Sequence, residues 1–165
     1  MTTFEKVLQF ILKEEGGFVD DPDDPGGRTN YGITQKTYTD WLKKYDRPDR
    51  DVKHIDLGDV GLIYKELYWL AGRCDQLPWP ISLIHMDGCV NVGPTRAALL
   101  LQKAAGVKED GHIGPQTLGA ASRMNPYALI RLRLRYYRKL TRLRKFLPQW
   151  VARIEHLMKE LEATP

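Results

Sequence analysis

Through the C-terminal quarter of the chain, Leu129, Leu132, Tyr136, Leu140, Leu143, Leu147, Trp150, Ile154, Leu157 and Leu161 stand three or four positions apart. That is the period of one face of an α-helix, and so long a run predicts helices packed by a single apolar side. Pro148 must either kink this stretch or open a second helix in its first turn. The same period marks the other end of the chain, where Phe4, Val7, Leu8, Ile11 and Leu12 follow a Thr2/Glu5 capping-box pattern and Gly16-Gly17 ends the helix. Between them, helical patterns cover Gln35 to Tyr45 and Asp56 to Ala71, the latter with Val60, Ile63, Tyr64, Leu67 and Leu70 on one face. After a break at Pro78 and Pro80 comes an apolar segment from Ile81 to Val92, then a helix from Pro94 through Ala97, Leu100, Leu101 and Ala104. The expected class is mainly α, with turns or a short hairpin in the Asp/Pro/Gly-rich run from Phe18 to Thr34.

A chain of 165 residues, 42% of them hydrophobic, buries one core, so residues 1–165 are expected to form a single domain. The net charge of +4 favours an anionic partner, whether nucleic acid, membrane surface or cell wall, without choosing among them. No apolar stretch has the length of a membrane span. Glu5, Lys6, Gln9 and Lys13 interrupt what a secretory leader would need, so a cytoplasmic origin and delivery by other means are expected. Cys74 and Cys89 lack a CxxC or Cys/His ligand spacing and are expected to be buried, reduced thiols. The acidic run lacks the EF-hand spacing and its closing Glu, so neither a metal nor a cofactor is expected.

Glu15 carries the strongest chemical signal. At about 100° per residue it falls about 20° from Phe4 around the first helix, within the apolar stripe. A carboxylic acid in apolar surroundings has its charged form disfavoured, which is what a glycosidase general acid requires. Asp20, Asp21, Asp23 and Asp24 follow, then Thr29, Asn30 and Tyr31, which offer a second carboxylate and polar groups able to orient water. The same aspartates are equally the residues that close successive turns.

The run EGGFVDDPDDPGGRTNYGIT resembles the signature of the glycoside hydrolase family 108 N-acetylmuramidases, phage and prophage endolysins with a lysozyme-like helical fold. DGCVNVGPTRAALLLQ and VKEDGHIGPQTL resemble that family's C-terminal half. The resemblance implies a single lysozyme-like domain, with residues 1–90 holding the catalytic signature. Residues 91–165 would be a predicted peptidoglycan-binding region integral to the fold. It also implies that Glu15 is the catalytic acid. In phage-type lysozymes, which share the spacing, an Asp follows nine residues later and a Thr stands near a Gly-Ile pair. Here the Asp position is Asp24, with Asp21 as its competitor, and the Thr position falls on Asn30, with Thr29 one residue before. Retention and inversion differ in the separation of the two carboxyl groups and both stay open. The implied partners are peptidoglycan glycan strands and, for release to the wall in the periplasm or exterior, a holin.

Asp87 and Asn91, four apart, share a helix face and read either as hydrogen-bonding groups along a sugar or peptide cleft or as a buried polar tie. His85 reads as structural. Among Tyr31, Tyr64, Tyr68, Trp69 and Trp79, Tyr31 is the best candidate for stacking on substrate, since aromatics at helical spacing are usually core. Arg131, Arg133, Arg135, Arg138, Lys139, Arg142, Arg144 and Lys145 form a basic stretch that raises nucleic-acid binding as a rival, but they flank a regular apolar stripe and no nucleic-acid motif accompanies them. Contact with anionic membranes or wall polymers is the alternative use of that charge. A further rival is a wall-binding or secretion-accessory protein that keeps the fold without the activity.

Overall fold

A computed structural model describes residues 1–20 and 27–163, without the side chains of 141–143. The chain is mainly helical, with one two-stranded antiparallel hairpin after the first helix. It divides into two compact units, Met1–Leu67 and Tyr68–Pro165. No described helix is long and apolar enough to cross a membrane.

The first unit begins with α1 (Thr3–Glu15). Its start is set by the expected capping box, in which Thr2 Oγ1 accepts from the Glu5 amide and the Glu5 carboxylate accepts from the Thr2 amide. Gly16 ends it at φ +72°. Val7, Phe10 and Ile11 are its buried residues, while Phe4, Leu8 and Leu12 are only half-buried, so the core face is turned toward Phe10. Glu15 consequently stands at the edge of that face, half-buried.

The strands β1 (Thr29–Asn30) and β2 (Ile33–Thr34) pair antiparallel, and Val19 bridges to Thr29 on the outer side of β1. Thr34 then caps α2 (Gln35–Lys44), and a 3-10 turn at Val52–His54 leads to α3 (Leu57–Tyr64), capped by Asp56. Asp59, at 5% exposure, ties these pieces together. Arg47 reaches both its carboxylate oxygens, at 2.6 and 3.0 Å, and the Tyr38 hydroxyl donates at 2.9 Å. Burial opposes ionisation there, but the hydrogen bonds from Arg47 and Tyr38 outweigh it and hold the carboxyl below its ordinary value.

One departure from simple periodicity follows α3. Lys65–Leu70 is a π-helical stretch, whose wider turn changes the angular step. The residue buried after Tyr64 is therefore Trp69, while Leu70, expected on the apolar face, is 50% exposed.

In the second unit, α4 (Ile81–Val92) occupies the span expected of the apolar segment, and every residue from Ile81 to Cys89 is buried. A helix apolar on all sides belongs inside, and α5 (Pro94–Ala105) and α7 (Pro126–Lys139) pack on it. The short α6 (Pro115–Ala121), like α5 and α7, starts with Pro in its first turn. After a 3-10 stretch at Thr141–Phe146, α8 (Leu147–Ala163) begins with Pro148 in its first turn. Pro148 thus opens a second helix rather than kinking one.

The charge at the centre of this unit is Asp87, which is fully buried. Arg133 donates to its Oδ2 at 2.6 Å and Arg153 to its Oδ1 at 2.7 Å, joining α4 to α7 and α8. Arg133 also donates to the Ile84 carbonyl and the Tyr137 hydroxyl. Burial disfavours the Asp87 charge, yet the two guanidinium groups hold its carboxyl below the ordinary value. Asp87→Asn strands two buried cations and should cost about 3–5 kcal/mol in urea unfolding at neutral pH. The depressed folded-state value means that the stabilisation is present above the ordinary aspartate range, about pH 3.9, and is lost as pH falls through the folded value. The variant should therefore lose less stability than the wild type between about pH 5 and pH 2, as read by unfolding at each pH.

Candidate active site

The hairpin sets the site in the first unit. Asn30 opposes Ile33, which leaves Tyr31 and Gly32 as a two-residue loop with φ values of +49° and +72°. Positive φ at both central positions is the type I′ turn, whose twist matches that of the strands. Glycine takes it without cost at residue 32, whereas Tyr31 is held there by its surroundings. The Tyr64 hydroxyl donates to the Tyr31 carbonyl at 2.8 Å. Asn30 is buried, and its amide donates to the carbonyls of Val52 and Lys53, both at 3.2 Å. Val19, four residues beyond α1, exchanges both backbone hydrogen bonds with Thr29 at 2.8 and 2.9 Å.

These ties bring the turn against Glu15. A Cβ at residue 32 would lie 2.6 Å from Glu15 Oε2 and 2.7 Å from the Tyr64 hydroxyl. The space that a side chain would fill is occupied by the carboxylate, so Gly32 is required both by its backbone angle and by its neighbour. Glu15 is left half-buried at the end of α1, with a hydroxyl and a strained turn beside it.

Of the residues singled out in the sequence, Glu15 and Tyr31 come together here, at Gly32. Thr29 is half-buried, with its hydroxyl donating to the Gly27 carbonyl at 3.2 Å. Asn30 serves as a tie to the Val52–His54 turn. Asp21 and Asp24 lie outside the described residues. Asp87 and Asn91 belong to the second unit, where the Asn91 amide donates to the Asp87 carbonyl at 2.7 Å and the Asp87 carboxylate is held by the two arginines. Within the basic stretch, Arg133 is thus an interior ion-pair partner, while Arg131, Arg135, Arg138 and Lys139 are exposed. Tyr64 was legible as an apolar helix position or a stacking aromatic, not as a hydrogen-bond donor. Its hydroxyl acts on a turn 33 residues away, and no local pattern signals that.

The family model described as glycosyl hydrolase 108 matches residues 8–93, which include the second half of α1 with Glu15, the hairpin and α4. The solved structure of Brucella abortus SagA is 34% identical, covers 98% of this chain and 94% of its own, and superposes with a TM-score of 0.83. No curated protein matches the sequence. The matched family makes the chain a glycoside hydrolase. It belongs to the glycosyl hydrolase 108 family.

Gly32→Ala tests the close approach. The added methyl group meets the Glu15 carboxylate in a backbone region that alanine avoids, so the variant should lose about 1–2 kcal/mol of stability in thermal unfolding. Displacing the carboxylate by about 1 Å should lower glycosidase turnover on the order of a hundredfold, measured with folded protein.

Proposed function

We propose that the protein is an N-acetylmuramidase hydrolysing the β-1,4 bond between N-acetylmuramic acid and N-acetylglucosamine in peptidoglycan. The observation that carries this reading is the seating of Glu15: a half-buried carboxylic acid at the end of α1, packed on the bare backbone of Gly32, within the segment matched by the family. Glu15 is the general acid that protonates the leaving oxygen as the bond breaks through an oxocarbenium-like state. Asp24 or Asp21, aided by Thr29, stabilises that charge or activates the attacking water, and Tyr31 meets the sugar. Asn30 supports this group by fixing the hairpin.

In this reading the protein is a phage or prophage endolysin, made in the cytoplasm and released to the wall by a holin. The exposed cations Arg131, Arg135, Arg138 and Lys139 draw it to anionic wall polymers or membrane surfaces.

Digestion of purified peptidoglycan by the wild type and by Glu15→Gln tests the assignment, with products identified by mass spectrometry. The wild type should release fragments with reducing N-acetylmuramic acid ends, and folded Glu15→Gln should release essentially none. Reducing N-acetylglucosamine ends would make the enzyme a glucosaminidase. Cleavage by Glu15→Gln at the wild-type rate would remove Glu15 from the reaction.

A further inference from the structure

A second cluster of reactive groups lies inside the unit Tyr68–Pro165, and it plays no part in the reading of Glu15. Along the chain, Cys74, His85 and Cys89 have no familiar ligand spacing; the fold brings them together. His85 and Cys89 are four apart on α4 and so share a face. Cys74 opens the 3-10 turn Cys74–Gln76, directly after Arg73 in a left-handed conformation. All three are at most 1% exposed. One ligand atom from each lies within 4.8 Å of the others.

Cys89 Sγ is 3.6 Å from His85 Nε2. Bonds of about 2.3 Å to sulfur and about 2.0–2.1 Å to nitrogen, at the tetrahedral angle, place two zinc ligands about 3.6 Å apart. The Gly72 carbonyl oxygen lies 3.1 Å from the same ring nitrogen. A Cβ at residue 72 would stand 2.7 Å from Cys89 Sγ and 3.2 Å from Cys74 Sγ, so the missing side chain keeps the space between the two sulfurs clear. His85 Nδ1 is buried and has no hydrogen-bond partner among the described residues.

We propose that Cys74, His85 and Cys89 bind one zinc ion, with the Gly72 carbonyl as the fourth donor, in a buried structural site. Two thiolates and an imidazole are the donor set that selects zinc among common divalent ions. Binding displaces one proton from each thiol, and the two negative sulfurs cancel the charge of the dication. The product is a neutral cluster, which a fully buried pocket tolerates far better than an isolated ion. The ion joins the turn after the π-helical stretch to the buried helix α4, holding two segments that local structure alone does not connect.

Metal analysis of the full-length protein, produced in zinc-supplemented medium and purified under reductant without chelator, is the test. Stoichiometric zinc is expected to survive dialysis. Metal-stripped protein titrated with Co²⁺ should give thiolate-to-cobalt charge-transfer bands and the intense d–d bands of a tetrahedral ion, abolished by added Zn²⁺ and missing in Cys74→Ser and Cys89→Ser. The titration of wild-type protein decides the matter even where a variant fails to fold. A folded wild type that retains no zinc and gives a featureless cobalt spectrum overturns the proposal. So does a cobalt signal that persists in both serine variants. A Cys74–Cys89 disulfide formed in air, with no metal bound after its reduction, also overturns it and makes the pair a redox couple.

Discussion

At residue 32 a single carbon atom would stand 2.6 Å from a carboxylate oxygen of Glu15, and the hairpin end of the first unit is arranged around that missing atom. A carboxylic acid can be packed against the peptide backbone only where the turn presents no side chain. A type I′ turn supplies such a place because its second central residue is most easily glycine. The hairpin is short, and by itself two strands of two residues would not hold. Its position depends on the Val19 bridge on one side, the Asn30 amide at Val52 and Lys53 on another, and the Tyr64 hydroxyl at the turn itself. Each is a hydrogen bond to backbone, so the site and the local fold share the same bonds.

Both units also bury an aspartate, and both solve the cost in the same way. Asp59 receives two hydrogen bonds from Arg47 and one from Tyr38, and Asp87 receives one each from Arg133 and Arg153. In each case burial pushes the carboxyl toward neutrality and the paired donors pull it back further. Such pairs add little over a well-packed apolar core but are costly to break, so they fix which helices meet more than how tightly. Asp87 is the stronger example, since its partners come from two other helices. The basic stretch that raises nucleic-acid binding from sequence thereby loses Arg133 to the interior.

Much of the architecture is written locally. Thr2 and Glu5 cap α1, Gly16 ends it, and Pro94, Pro115 and Pro126 open three later helices where their missing amide protons cost nothing. The largely apolar run Ile81–Val92 is read as an element between the break at Pro80 and the turn at Gly93-Pro94. Glu15 was legible for the same reason: its position depends on the helical period and the two glycines beside it. These signals act over a few residues, through steric and hydrogen-bonding preferences that any stretch of chain carries with it.

The rest depended on residues far apart in sequence. The π-helical stretch after Tyr64 moves burial from Leu70 to Trp69, and the turn of α1 toward Phe10 leaves Glu15 at the edge of the buried face rather than within it. Asp87 finds its partners 46 and 66 residues away, Tyr64 acts on a carbonyl 33 residues before it, and Cys74 joins a pair on α4. The sequence by itself determined that the chain is helical, where several of its helices start, and that an acid stands at the end of the first. Tertiary structure decided what that acid touches and which polar groups are paired in the interior, because a side chain's partner is chosen by packing, and packing has no period along the chain.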